Sequence, residues 1–391
     1  MKILVLGADG YLGWPTCMHF SSLGHDVTAV DNFSKRRIEL EDGIQPLFPI
    51  HTLHKRVEIW KAMSGHQIQL TVGDLTNHRF VYKLLEEDLP DVIIHYAEQP
   101  SAPYSMYTRE NAVYTQYNNV VGNLNLLFAM QRNCPDAHLI KLGSMGEYGT
   151  PNIDIEEGYI DIEHNGRHDR LPFPKQPGSF YHLSKVHDSH NIMFACKLWN
   201  LRATDLNQGV VYGIDTEETQ VSADLNTSFH YDHIFGTVIN RFLVQALAGI
   251  ELTVYGGGSQ TRGFLDIRDT LKCVELAALN PPLNGEFRVF NQFTEQFSII
   301  ELAELVCDAA NILQPGGSKL HPGIPVGIEY VENPRMEAEN HYYNAKHGGL
   351  TQLGLEPHLL TLDSVIEMLK AMNSVQINHN LIQPTIKWQS G

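Results

Sequence analysis

An apolar run at the start of the chain ends on glycines at fixed spacing: Met1-Lys-Ile-Leu-Val-Leu runs into Gly7-Ala-Asp-Gly10-Tyr-Leu-Gly13. Few patterns restrict a fold more. Glycines at such a turn let the backbone approach a ligand closely, and a helix opening there turns its unpaired N–H groups and positive dipole end toward an anion. Strand, glycine turn and helix in that order make the first half of a unit that grips a dinucleotide pyrophosphate. A second apolar run ends on Asp31, where a carboxylate can accept hydrogen bonds from a ribose. Asp31 would repel a 2′-phosphate, so the expected cofactor is NAD and not NADP. The nearby Lys35-Arg36-Arg37 could hold a phosphate in principle and is read as a solvated basic loop.

The alternation continues. Runs rich in β-branched and aliphatic residues at 3–6, 27–30, 68–72, 92–95 and 138–142 are bounded by Gly, Asp or Pro and separated by helix-like stretches. That order predicts an α/β fold, a Rossmann-type doubly wound parallel sheet buried on both faces. Residues 1–212 read mainly as the dinucleotide-binding domain, interrupted by excursions near 32–65 and 149–178. Residues 213–391 read mainly as a smaller mixed α/β substrate lobe, with some segments returning to the first domain. Within it, Ser298 and Glu301 ahead of an apolar run form a capping box and start a helix.

Charge narrows the partners. With 28 Lys and Arg against 45 Asp and Glu, the net charge is −17. Such a field repels phosphate, which argues against nucleic acid and anionic membrane as partners. If the ligands are anions, a few local cations must hold them. Cys17, Cys134, Cys196, Cys273 and Cys307 are scattered, odd in number and lack a CxxC, so neither a disulfide framework nor a thiolate metal site is expected. A reducing, cytoplasmic compartment fits, and no run is apolar and long enough for a bilayer span.

Tyr181-His-Leu-Ser-Lys185 puts a phenol and an ammonium one helical turn apart on one face. A free phenol titrates near ~10, so a base at neutral pH needs a shift of about 3 units. An adjacent ammonium and a positively charged nicotinamide both push that way. Ser144 follows the fifth apolar run, at the sheet edge where such folds bind ligands, and can hydrogen-bond a reacting oxygen. Asp74-Leu75 follows the third run and reads both as an adenine contact and as a helix N-cap.

The glycines, Asp31, Ser144, Tyr181 and Lys185 together resemble the extended short-chain dehydrogenase/reductase superfamily acting on nucleotide sugars. Asn119-Val-Val-Gly-Asn-Leu-Asn-Leu-Leu is similar to its central helix, and Gln260-Thr-Arg262-Gly-Phe-Leu-Asp266 to its phosphate-proximal motif. Longer strings resemble the UDP-sulfoquinovose synthase family: Ser101-Ala-Pro-Tyr-Ser-Met106, Gly146-Glu-Tyr-Gly-Thr-Pro-Asn-Ile-Asp-Ile-Glu-Glu157 and Phe290-Asn-Gln-Phe-Thr-Glu-Gln-Phe297 among them. The resemblance implies NAD held tightly and regenerated, and conversion of UDP-glucose plus sulfite, free or delivered by a protein, into UDP-sulfoquinovose. It also implies a homodimer through the central helices. It assigns Asp9, Tyr11, Leu12, Asn32, Asn119, Tyr181 and Lys185 to the cofactor, Lys185 on the nicotinamide ribose, with the glycines, Asp31, Asp74 and Leu75. To the substrate it assigns Gln99, Ser101, Tyr104, Ser144, Asn207 and Asn291, with Arg262 and Arg335 clamping the diphosphate.

The implied chemistry oxidises C4, eliminates across C5–C6, adds sulfite and reduces C4 again. Related 4,6-dehydratases carry an Asp-Glu pair after their Ser or Thr; here those positions are Met145 and Gly146. Glu147 and His182 are the candidates for the missing acid/base. Plant members of the family have Thr at the Ser144 position and Arg at the Pro100 position, which leaves the sulfite-binding cation open. Asn123, where Thr is common, is read as a packing variation, and His182, His187 and His190 lack a metal-site spacing, so no metal is expected. Two other readings stand beside the synthase: another NAD-dependent nucleotide-sugar 4-epimerase or dehydratase, and a noncatalytic NAD-binding sensor or scaffold.

Overall fold

The computed structural model describes residues 1–314, 324–334 and 342–382. Seven strands form one parallel sheet: β1 (Lys2–Leu6), β2 (Asp26–Asp31), β3 (Ile68–Val72), β4 (Val92–His95), β5 (His138–Ser144), β6 (Arg202–Gln208) and β7 (Phe287–Gln292). Their spatial order is β7-β6-β5-β4-β1-β2-β3, and every neighbouring pair is parallel. The order reverses between β1 and β4, and the crevice beyond the strand ends there is where folds of this type bind ligands.

Alternation inside the strands explains the layering. Ile3, Val5, Val27, Ala29, Val92 and Ile94 enter one apolar layer, and Leu4, Leu6, Val30 and Ile93 enter the opposite one. Helices Gly13–Ser22, Leu53–Ser64 and Ile267–Leu279 cover the first face. Helices His78–Asp88, Gly122–Asn133 and Phe180–Trp199 cover the second. Both faces are buried under apolar layers, as continuous apolar strands require. The last covering helix of the first face and β7 come from beyond residue 213.

The two excursions carry structure of their own. The first folds into helices Ser34–Glu41 and Leu53–Ser64; the second contains an antiparallel hairpin, Tyr159–His164 with Arg167–Pro172. In the second lobe, Thr261–Asp266 pairs parallel with Val210–Tyr212 and antiparallel with Glu295–Ser298. Helices Val238–Ala248, Ile299–Leu313 and Leu362–Met372 pack around that lobe's core. The capping box forms as the sequence predicts: Glu301 N–H donates to Ser298 Oγ at 3.3 Å, and Ser298 N–H to Glu301 Oε2 at 2.7 Å. All five cysteines are buried and unpaired. No helix among the described residues is long and apolar enough to cross a membrane.

Candidate active site

A cavity of about 620 Å³ opens beyond the ends of β1, β4 and β5 and runs under the second lobe. Its near wall is the glycine turn. Gly7 sits at φ +86°, and a Cβ there would lie 2.7 Å from the Tyr96 carbonyl carbon. A Cβ on Gly13 would collide with the Gly7 carbonyl oxygen. Only glycine fits both places, and the result is a bare backbone cradle facing the cavity, the shape and chemistry a pyrophosphate needs.

Asp31 anchors that end. Its carboxylate accepts the Asp9 and Phe33 backbone N–H groups at 2.8 and 2.7 Å. Burial raises its carboxyl to about 6 against those hydrogen bonds. Asp74 accepts from Asn32 Nδ2 at 2.9 Å and from Thr76, so it is at once a wall of the cavity and a local turn cap. Burial opposes these bonds, yet they hold the Asp74 carboxyl below its ordinary value.

The basic tripeptide is not a solvated loop. It lies in helix Ser34–Glu41, and only Arg37 is well exposed. Arg36 NH2 bonds Asp9 Oδ1 at 3.0 Å, while Lys35 Nζ reaches Glu39 at 3.1 Å and Ser228 Oγ at 2.6 Å. The cause is Asp9 itself. A carboxylate 7% exposed inside the turn needs counter-cations. Arg56, wholly buried and 4.7 Å from the Trp14 ring, supplies the other one. Arg56 belongs to the first excursion, and nothing in its neighbours' spacing marks it.

The second end of the cavity holds the reactive groups. Ser179 caps helix Phe180–Trp199, which presents Tyr181, His182 and Lys185 to the cavity. Ser144 terminates β5 beside them; its Oγ accepts the Gly146 N–H at 3.1 Å, which leaves its own O–H to donate. Lys185 Nζ lies 5.7 Å from the Tyr181 ring centre and donates to the Leu142 carbonyl at 2.6 Å. Burial raises the Tyr181 phenol above its ordinary value; Lys185 opposes this, and Glu98 and Glu147 add to it. The chain's own groups therefore keep the phenol protonated, and a nicotinamide cation is the further charge that would lower it.

The NAD dependent epimerase/dehydratase family profile matches residues 3–291. UDP-sulfoquinovose synthase, chloroplastic, of Spinacia oleracea is 53% identical over 99% of this chain and 79% of its own length. UDP-sulfoquinovose synthase of Sulfolobus acidocaldarius is 42% identical over 100% of this chain and 98% of its own. The chain belongs to the UDP-sulfoquinovose synthase family. Its fold matches that of UDP-glucuronic acid 4-epimerase from Bacillus cereus, solved with UDP-glucuronic acid and NAD, at TM-score 0.68 and 20% identity over 95% of this chain and 99% of that one. The cofactor is NAD, and the glycine cradle with Asp31 suits it.

Within this synthase fold, Gly7, Asp9, Gly10, Tyr11, Leu12, Gly13, Asn32 and Leu75 all line the cavity, as do Pro100, Ser101 and Arg262. Tyr11 OH also donates to the Gly213 carbonyl, tying the cradle to the second lobe. Arg335 lies outside the described residues.

Six of the expected contacts stand behind the cavity wall instead of on it. Gln99 folds back to Thr115 Oγ1 at 2.8 Å and the Ser101 carbonyl at 3.0 Å, because a tight loop needs its buried amide paired locally. Asn119 bonds Ser184 Oγ at 2.9 Å and takes the Gln99 N–H, locking loop to helix. Tyr104 packs edge-on against Tyr114 in the second lobe's core. Asn207 donates to Tyr148 OH at 2.7 Å, and that phenol donates to Asn291 Oδ1 at 3.0 Å, so both amides serve a buried tie between β6, β7 and the turn after β5.

Glu147 is the sixth. It is fully buried, closes the capping box on Ser144 N–H at 3.0 Å, accepts from Ser189 Oγ at 3.0 Å, and pairs with Lys141 and Lys175. Despite burial, those ammoniums hold its carboxyl low, to about 2. A carboxylate so enclosed holds the turn that carries Ser144 and stands behind the cavity lining.

Gly146 shows why the dehydratase pair is missing. A Cβ at that position would collide with the His182 ring. His182 occupies the space that a side chain at 146 would need, and Ser179 Oγ bonds its Nδ1 at 2.9 Å. His187 and His190 turn away, to Gln116 and to the Val186 carbonyl. Asn123 is more than packing: its Nδ2 donates to the buried Asp188 carboxyl at 3.2 Å.

Proposed function

We infer that this cavity converts UDP-glucose and sulfite into UDP-sulfoquinovose. The observation that carries the reading is the arrangement of Ser144, Tyr181, His182 and Lys185 along one cavity whose other end is the glycine cradle. NAD, when bound, accepts the C4 hydride and gives it back at the end of the cycle. Tyr181, as phenolate steadied by Lys185, takes the proton of the C4 hydroxyl, with Ser144 donating to the same oxygen. The resulting 4-ketone acidifies the C5 proton. His182 takes that proton and protonates the departing C6 hydroxyl, so water leaves and a C5–C6 alkene forms. Bisulfite sulfur bonds to C6 while the bisulfite proton reaches C5 through His182, and Tyr181 returns its proton to the C4 oxygen.

The function is tested by mixing the purified protein with UDP-glucose, with and without sulfite. A sulfonated sugar nucleotide formed only with sulfite supports it. A galactose isomer of unchanged mass, or no turnover with NAD still bound, overturns it. His182→Ala is expected to keep its NAD and still reduce it on adding UDP-glucose, while sulfonate formation falls by about 10²-fold or more. Near-normal sulfonate output from that variant would remove His182 from the C5–C6 steps.

The same reading includes a homodimer. Helices Gly122–Asn133 and Phe180–Trp199 expose Phe128, Phe194 and Leu198 at 48%, 62% and 55%, an apolar face that a second copy would cover. Sedimentation at micromolar concentration should give twice the chain mass, and a monomer throughout would contradict the pairing.

A further inference from the structure

One charged group on the cavity wall has no part in the chemistry above. Glu98 follows β4, its side chain only 2% exposed, and its Oε2 lies 2.8 Å from Lys185 Nζ. Its Oε1 has no hydrogen-bond partner among the described residues. The backbone holds it there: Glu98 N–H donates to the Tyr96 carbonyl at 2.7 Å in a tight turn, and the next residue is pinned by the Asn119 side chain at 2.8 Å. A buried carboxylate is thus fixed against the ammonium that should favour phenolate. Placing it there opposes the formation of the base.

The reaction cycle explains the opposition. The C4 hydroxyl loses a proton to Tyr181 and a hydride to the cofactor; later the same carbon regains the hydride and its oxygen regains the proton. Tyr181 must act first as a base and then as an acid, at one pH. General acid–base catalysis works best when the pKa lies near the operating pH. Lys185 and a nicotinamide cation alone would lower the phenol so far that its phenolate takes the C4 proton weakly and does not keep it for the return.

We propose that Glu98 is a positioning residue that counterweights Lys185, keeping Tyr181 able both to take and to return the C4 proton. It rests on Tyr181 being the C4 base. The groups that bear on Tyr181 are consistent with this arrangement. Lys185 and His182 come from its own helix, Lys141 and Glu147 from β5 and its turn, and Glu98 from the loop after β4, where His95 bears on Lys185 and Lys141. Burial lowers His95 to about 4, and burial with Glu98 raises the Asp188 carboxyl, while Glu98 is the carboxylate in contact with the Lys185 ammonium, at 2.8 Å.

The test compares Glu98→Gln, Glu98→Asp and the parent protein, each titrated for tyrosinate absorbance after subtracting its Tyr181→Phe counterpart. The Gln variant should ionise Tyr181 at a pH lower by about one unit, at the small end of what one close charge does, with Asp near the parent value. Its NADH signal should also appear at lower pH on adding UDP-glucose and persist after sulfite is added. An unchanged Tyr181 midpoint in Glu98→Gln, or an equal shift in Glu98→Asp, overturns the counterweight. NADH formation that survives Tyr181→Phe would instead sink the underlying assignment of the base.

Discussion

Lys141→Met is expected to lower unfolding free energy by about 3–5 kcal/mol, the largest stability loss of any single change in the site. Lys141 lies mid-strand in β5 with no exposed surface. Its Nζ is 3.4 Å from Glu147 and 3.6 Å from Asp205, and it donates to Ser189 Oγ and the Lys185 carbonyl at 3.0 and 3.1 Å. Removing the ammonium leaves buried Asp205 without its cation, beside a Glu147 that keeps only Lys175, in a medium that screens them poorly. Much of the loss comes from the stranded Asp205 charge, so adding Asp205→Asn should recover a good part of it. Urea denaturation followed by fluorescence measures both variants. A single variant as stable as the parent would show that the cluster is not the structural support of Ser144.

Tyr181→Phe should cut reduction of bound NAD by UDP-glucose by about 10²–10⁴-fold, the range for losing a positioned general base. The ring remains, so packing is conserved. NAD content should stay at the parent level, because the cradle at Gly7, Gly13 and Asp31 lies at the other end of the cavity. Rapid mixing read by NADH absorbance, with the released cofactor quantified after denaturation, separates the two effects. A loss smaller than tenfold would mean another group takes the C4 proton.

What could be read in advance follows from which forces leave a local mark. The β1–β5 strands were legible because burial on both faces demands consecutive aliphatic residues, and the cradle because only glycine survives the contacts at Gly7 and Gly13. β6 was harder to see: Arg202-Ala-Thr-Asp-Leu-Asn-Gln208 is largely polar, yet Thr204, Asp205 and Asn207 are buried and paired with groups distant in sequence. The same holds for Arg56, Lys141 and Glu98, whose partners are set by tertiary packing and not by spacing. Glu147 and Asn207 looked like contacts because position in a motif does not reveal which side of a wall a side chain takes. Gly146 shows the converse: its meaning became clear only once His182 was seen in the space beside it.

The −17 charge of the chain now has a local counterpart. Two of the cations nearest the cofactor end, Arg36 and Arg56, are committed to Asp9, and Lys185 is shared with Glu98. Anion binding at that end therefore falls to the backbone of the cradle. At the other end Arg262 lies on the cavity wall with His182.

The central claim is a closed redox cycle at C4 with sulfite added between its two halves. Its most direct measurement is the mass of the product formed from UDP-glucose carrying deuterium at C4, in the presence of sulfite. The account predicts a sulfonated sugar nucleotide that keeps the deuterium at C4, because the hydride leaves and returns within one bound cycle. A sulfonated product without the label, or label retained only in an unsulfonated isomer, would contradict it.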